Sequence, residues 1–324
     1  MIRDGAEGRM KLTILGGFLG SGKTTWLRHQ LHADAFGEAL VIVNEAAAVP
    51  VDDALLYRST RLAVLPDGCA CCAGKEGFLR LMRGIAEDRV DGNGTRGARL
   101  EQLVLETSGL ADPGAIVDAL RSDPVLVHHV VVGEIVVAVD ALNGLVQMRG
   151  EPLSRRQVET ADRLVVTKVD MADEAELKRL LATLRQLNPG AAIAGAALGS
   201  GAELPDYADA VAEHLPDFSG RAQAPVIATT LHVDPAIDWT TFSTWMSALL
   251  HARGDDILRV KGVVPTPAGR LLLQGVRRVV QPPEILPGGA ANVGGTDNEI
   301  VVIGRSFDPA DLPRSLRRFV EIAS

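Results

Sequence analysis

The chain has 324 residues, comfortable for two domains, and its 47% hydrophobic and 23% charged residues are an ordinary globular balance. A net charge of −8 argues against a nucleic-acid partner, which would want a basic stripe. Aromatic residues make up only 4%, so a core of Leu, Val, Ile and Ala is expected.

The opening stretch, MIRDGAEGRM, lacks the apolar run of a signal peptide. The most apolar segment, Pro124 to Leu142, is interrupted by His128, His129, Gly133 and Glu134. It falls short of the roughly 18 uninterrupted apolar residues that mark a membrane span. No membrane partner is expected, and the reading is cytoplasmic, where thiols stay reduced.

In chain order, KLTIL (11–15), ALVIV (39–43), RLAVL (61–65), QLVLE (102–106), EIVVAV (134–139) and RLVVT (163–167) read as buried strands. DEAELKRLLATLRQL (173–187) has apolar spacing near 3.6 and reads as a helix. Alternation of this kind predicts an α/β fold with a mostly parallel sheet covered on both faces. DGNGTRGAR (91–99) reads as a surface loop. A second, smaller α+β region starts near Arg221–Pro225, so the expected domains are 1–222 and 223–324. It offers a strand at 226–233, a helix at about 238–251, strands near 257–264, 270–280 and 299–304, and a closing helix at 309–322. Residues 282–298 read as a long loop, and no catalytic constellation is apparent in this region.

Four motifs carry chemistry. Directly after the first strand comes GGFLGSGKTT (16–25), in which Gly17, Gly22, Lys23 and Thr24 complete a Walker A pattern. Backbone N–H groups of such a loop turn inward around phosphate, and the following helix N-terminus adds its dipole. Candidate phosphate contacts are Gly17, Gly20, Ser21, Gly22, Lys23, Thr24 and Thr25. Lys23 would bridge the β- and γ-phosphates and the Thr24 hydroxyl would ligate Mg2+. LVLETSG (103–109) ends a strand on Glu106, placed to hold Mg2+ through water, with the Gly109 amide facing the γ-phosphate. TKVD (167–170) follows the last strand of the series. There Asp170 would accept from guanine N1–H and N2–H2, while the Lys168 stem packs on the base and Thr167 lines the pocket. The order of motifs makes GTP the expected nucleotide over ATP, and a kinase reading has no use for TKVD.

All three cysteines of the chain, Cys69, Cys71 and Cys72, fall within GCACCAG (68–74). Disulfides among such near neighbours would be strained or would distort the loop. Three cysteines beside Gly68 and Gly74 are also an odd way to fill a core. Soft thiolates converging in a tight turn suit zinc or another transition metal, and a thiol redox switch would use the same exposed side chains. Metal binding is the preferred reading, with the redox switch as its rival. The seven histidines form no metal pattern, and His128–His129 reads as solvated surface.

Taken together, GGFLGSGKTT, GCACC, LVLETSGLADP and TKVD, in that order, resemble the CobW family of P-loop GTPases. The resemblance continues through LRVKG (258–262), LLLQGVRRV (271–279) and VVIGR (301–305) and so covers nearly the whole chain. It implies a GTP-hydrolysing metallochaperone that binds zinc or another transition metal and delivers it to a client metalloprotein. Where the family reads Asn-Glu-Phe-Gly-Glu, this chain has NEAAAVPVDD (44–53): Asn44 and Glu45 match, while Ala46, Ala47 and Ala48 replace the rest. Glu45 is the candidate fourth ligand beside the three cysteines, with Asp52 behind it. Neither the client nor the oligomeric state is readable from the sequence.

Overall fold

In the computed structural model, Met10–Gly17 (β1) is the strand around which the first unit is built. The structure describes residues 8–44, 61–65, 74–90, 100–216, 227–254, 256–266, 269–276, 279–280, 284–285 and 298–323. They fall into two units, one spanning Arg9–Phe218 and the other containing Ser219–Ser324. After β1 the first unit continues with Lys23–His32 (α1), Ala39–Asn44 (β2), Arg61–Leu65 (β3), Lys75–Val90 (α2) and Gln102–Glu106 (β4). Then come Pro113–Ser122 (α3), Leu126–His129 (α4), Val130–Asp140 (β5), Gly144–Gly150 (α5), Pro152–Thr160 (α6) and Arg163–Thr167 (β6). A 3-10 turn at Val169–Met171, Glu174–Leu187 (α7), Ala192–Ala197 (β7) and Ser200–Ala202 (β8) complete it.

The described strands of this unit line up as β3-β2-β4-β1-β5-β6-β7-β8, parallel except for the β7–β8 hairpin. Central strands are buried on both faces, as a parallel sheet covered by helices requires. Helix α1 lays Trp26 and Leu27 on Val41, Val104, Val136 and Val165. Asp173 starts α7 by accepting from the Ala175 and Glu176 N–H groups, and Leu177, Leu180, Leu181 and Leu184 form its buried stripe. Register does the rest: Leu15 pairs with Glu106, Gly17 with Ala138, and Asp140 with Thr167. The C-terminal ends of β1, β4, β5 and β6 therefore meet at one edge, where open α/β sheets bind ligands.

The second unit is an antiparallel sheet in the order β12-β11-β10-β14-β9, with β13 on β11. Its elements are Ile227–His232 (β9), Trp239–Arg253 (α8), Ile257–Thr266 (β10), Gly269–Val276 (β11), Val279–Val280 (β12), Glu284–Ile285 (β13), Glu299–Gly304 (β14) and Asp311–Ala323 (α9). Phe242, Trp245 and Met246 of α8 and Leu312 and Leu316 of α9 share a core with Val260 and Val302. The Trp245 indole N–H donates to the Ser315 hydroxyl at 3.0 Å, tying the two helices.

The α/β class and the smaller second region are as expected. The details depart in four places. The strand read at 134–139 begins at Val130, preceded by the short α4. The strand read at 270–280 is two, β11 and β12. The segment read as loop from 282 carries β13. Strands β7 and β8 were not foreseen, because AIAGAA has almost none of the branched or aromatic side chains that mark strands. The loop read at 91–99 lies outside the described residues. Among the described residues no helix is long and apolar enough to cross a membrane.

Asn188, 1% exposed just after α7, holds the end of α6 against the sheet. Its amide donates to the Val158 and Ala161 carbonyls at 2.8 and 2.9 Å, and its oxygen accepts from the Ala191 N–H at 3.1 Å. Asn188→Ala orphans buried backbone groups at both ends of this bracket. It should destabilise the first unit by about 2–3 kcal/mol in urea unfolding; a loss under about 0.5 kcal/mol would mean that water replaces the amide.

Candidate functional site

The loop between β1 and α1 is folded tightly against β5. Gly17 has φ +136°, and a Cβ there would lie 2.4 Å from the Ala138 carbonyl oxygen, so no other residue fits. The loop closes with the Ser21 N–H on the Phe18 carbonyl, and α1 begins at Lys23 with no side-chain cap. Its uncapped N–H groups are the partners a phosphate takes. Ser21 is buried, its hydroxyl without a hydrogen-bond partner among the described residues, whereas Thr25 is exposed.

Lys23 is buried and folds its amine back onto the Gly17 and Phe18 carbonyls at 2.9 and 3.1 Å. Burial holds its pKa below the ordinary lysine value, partly offset by the charge of Glu106. Glu106 is 1% exposed, and burial pushes its pKa up against the opposing pull of Thr24, Lys23 and Arg28. The Thr24 hydroxyl donates to Glu106 Oε1 at 2.5 Å, leaving Oε2 buried and without a partner among the described residues. A hard divalent cation takes oxygen donors. The orphaned carboxylate oxygen beside a threonine hydroxyl is such a donor set, so these residues fit Mg2+.

The TKVD segment is bonded directly to the phosphate loop. The Thr167 hydroxyl donates to the Ser21 carbonyl at 2.8 Å. Lys168, with φ 58°, sends its amine to the Gly20 carbonyl at 2.9 Å and to Asp140 Oδ2 at 2.7 Å. Asp140, 1% exposed at the end of β5, also accepts from the Leu142 N–H and the Asn143 amide. Burial alone would raise its pKa, but the bonds from Asn143, Lys168 and Leu142 win and hold it below the usual carboxylate value. Asp170, in the 3-10 turn, is exposed, with no hydrogen-bond partner among the described residues. Gly109 lies over the phosphate loop, where a Cβ would come within 2.7 Å of the Leu19 backbone nitrogen.

Gly17, Gly20, Ser21, Gly22, Lys23, Thr24, Glu106, Gly109, Thr167 and Lys168 thus converge on one edge of the sheet, with Asp170 at its rim. Cys69, Cys71, Cys72, Glu45 and Asp52 lie outside the described residues, and among the described ones no cluster of three His, Cys, Asp or Glu is placed to hold a metal. Sequence reasoning missed Asp140. Its one signal was an acidic residue closing an apolar run, which many strand ends share.

Residues 11–194 match the family described as CobW/HypB/UreG, nucleotide-binding domain, and residues 226–320 match the cobalamin synthesis protein CobW C-terminal domain. The chain is 31% identical to the zinc chaperone YjiA of Escherichia coli, over 83% of this chain and 86% of that protein. It is 29% identical to the zinc chaperone CobW of Pseudomonas aeruginosa, over 95% of this chain and 91% of the other. Its fold is similar to that of the zinc-bound YjiA GTPase from E. coli, with TM-score 0.58 and 24% identity over 96% of this chain and 99% of that one. With a phosphate loop, a buried strand-end carboxylate and a TKVD turn on one sheet edge, and both of its regions matched, the chain belongs to the CobW/HypB/UreG family and carries the CobW C-terminal domain.

Proposed function

We propose that the chain is a GTP-hydrolysing metallochaperone that binds zinc, or another transition metal, through Cys69, Cys71 and Cys72 and passes it to a client metalloprotein. The observation that carries the nucleotide part is the joining of Thr167 and Lys168 to the Ser21 and Gly20 carbonyls beside the exposed Asp170. The metal part is supported by the names of the relatives, two of them zinc chaperones, and by the donor chemistry of GCACC. Glu45 is proposed as the fourth ligand. The reading requires a reducing cytoplasm, and it assigns nucleotide and metal to 1–222, with 223–324 as the CobW-like C-terminal domain.

In this reading the N–H groups of the loop and α1 take the phosphates, and Lys23 exchanges its two carbonyl partners for phosphate oxygens. Thr24 and Glu106 would hold Mg2+, which supplies charge neutralisation on the phosphates. Gly109 offers its amide to the γ-phosphate, and Asp170 takes the guanine edge. Neither the phosphate loop nor 107–112 contains a glutamine or arginine aimed at an attacking water.

Guanine preference should rest on Asp170, because adenine offers no matching pair of donors. Asp170→Asn should weaken GTP binding about tenfold or more and improve tolerance of xanthosine nucleotides; wild-type protein that binds ATP and GTP equally would sink this assignment.

Without a glutamine or arginine for the attacking water, intrinsic turnover should be slow, and Lys23→Ala should abolish it. Many turnovers per second in the absence of any partner would reveal a missed catalytic group.

Metal affinity should differ between the GDP and GTP-analogue states if Glu45, in the segment after β2, moves relative to the cysteines. By linkage the metal shifts the nucleotide preference by the same factor, about fivefold to 150-fold in typical couplings. Each of Cys69→Ser, Cys71→Ser and Cys72→Ser should weaken metal binding severely while GTP still binds. Affinity should fall as pH falls, since protons compete for the thiolates. Competitive zinc titration of the empty, GDP-bound and analogue-bound protein checks all three; identical affinity throughout would rule out delivery driven by GTP.

A further inference from the structure

Gln157 belongs to no motif, yet it is 1% exposed on α6 and reaches into the segment after β4. Its Nε2 donates to the Gly109 carbonyl at 3.2 Å and to the Ala111 carbonyl at 2.7 Å. Arg156, its neighbour on α6, bonds Asp112 at 3.2 Å, and Asp112 in turn caps α3 at the Gly114 N–H. Consecutive residues of α6 thus hold the segment 109–112.

Two further contacts give that hold a direction. The Ala111 N–H donates to the Ser108 carbonyl at 3.0 Å. The Ser108 carbonyl and the Gly109 N–H share one peptide plane and point in opposite senses in a trans peptide. With the Ser108 carbonyl turned toward Ala111, the Gly109 N–H faces the other way, and it donates to no group among the described residues. Gly109 itself stands against Leu19 of the phosphate loop. Leu110, between the two pinned carbonyls, is 54% exposed, so packing of its side chain does not hold the segment in place.

We propose that Gln157 is a positioning residue. By holding the Gly109 and Ala111 carbonyls it keeps the Gly109 N–H free and aimed beside the phosphate loop, and so sets the discrimination between a nucleoside triphosphate and a diphosphate. This rests on the reading of Gly109 as a γ-phosphate donor. A diphosphate does not use that donor, so the two affinities separate this role from general support of the fold.

The test is calorimetric binding of GDP and of a non-hydrolysable GTP analogue, with Mg2+, to wild type, Gln157→Met and Gln157→Asn. Met keeps length and apolar packing but has no donor; Asn keeps the amide but is too short to reach both carbonyls. Losing two amide–carbonyl bonds should weaken the analogue about tenfold in Gln157→Met, while GDP affinity stays within about twofold. Gln157→Asn should show the same change in ratio to a smaller extent, and it decides alone if the Met variant does not fold. An unchanged analogue-to-GDP ratio in the variants, whether both affinities fall together or neither moves, overturns the proposal. Wild-type protein that binds no guanine nucleotide defeats the nucleotide reading itself; wild type that discriminates, with variants that discriminate equally, defeats only the role of Gln157.

Discussion

The hydrogen bond from Thr24 to Glu106 is the constraint on which the rest of the site depends. It joins residues 82 apart in sequence and fixes the start of α1 against the end of β4. An ionised carboxylate with 1% exposure is costly to bury unless it is paired and bonded. Here the compensation is incomplete. One oxygen has the Thr24 hydroxyl, the Lys23 charge stands nearby, and the second oxygen has no partner among the described residues. Lys23 is displaced in the opposite direction by the same burial, and it occupies itself with two carbonyls of its own loop. Polar groups held in place with unmet bonding capacity suit the proposed nucleotide and its Mg2+.

The TKVD turn is held to the same framework. Because β5 and β6 run parallel with Asp140 opposite Thr167, the end of β5 delivers a buried carboxylate to Lys168. Lys168 then spans from Asp140 to Gly20, and Thr167 reaches Ser21. The TKVD turn and the phosphate loop cannot shift independently without breaking these bonds. In the proposed reading, a nucleotide would meet a fixed separation between its base and its phosphates, not two loose loops. Helix α6 extends this rigidity to the segment after β4 through Gln157 and Arg156, and Asn188 fixes α6 in turn.

The second unit follows a different construction rule. Its strands pair antiparallel, so short connections suffice, and two helices with apolar stripes close one core. Trp245 illustrates the economy of the arrangement: the ring fills the core between α8 and α9 while its N–H finds Ser315.

The sequence by itself determined the α/β class, the phosphate loop and the TKVD turn, because each demands residue types that nothing else can replace. Gly17 must turn at a φ that a side chain forbids, and Lys23, Thr24, Glu106 and Asp170 each supply a functional group in a fixed place relative to a strand end. It also gave the amphipathic α7 and the two-region organisation through hydrophobic periodicity. The strands β7 and β8 were not legible, since an alanine-rich run acquires strand character only by pairing beside β6. Asp140 and Gln157 were not legible either. An aspartate at a strand end and a glutamine within a helix are common, and what distinguishes these two is the partner each reaches. Those partners lie 28 residues away for Asp140 and 46 and 48 for Gln157. Local spacing encodes contacts along one helix or one turn. Contacts between segments so far apart follow from strand order and parallel register, which only the tertiary structure decided.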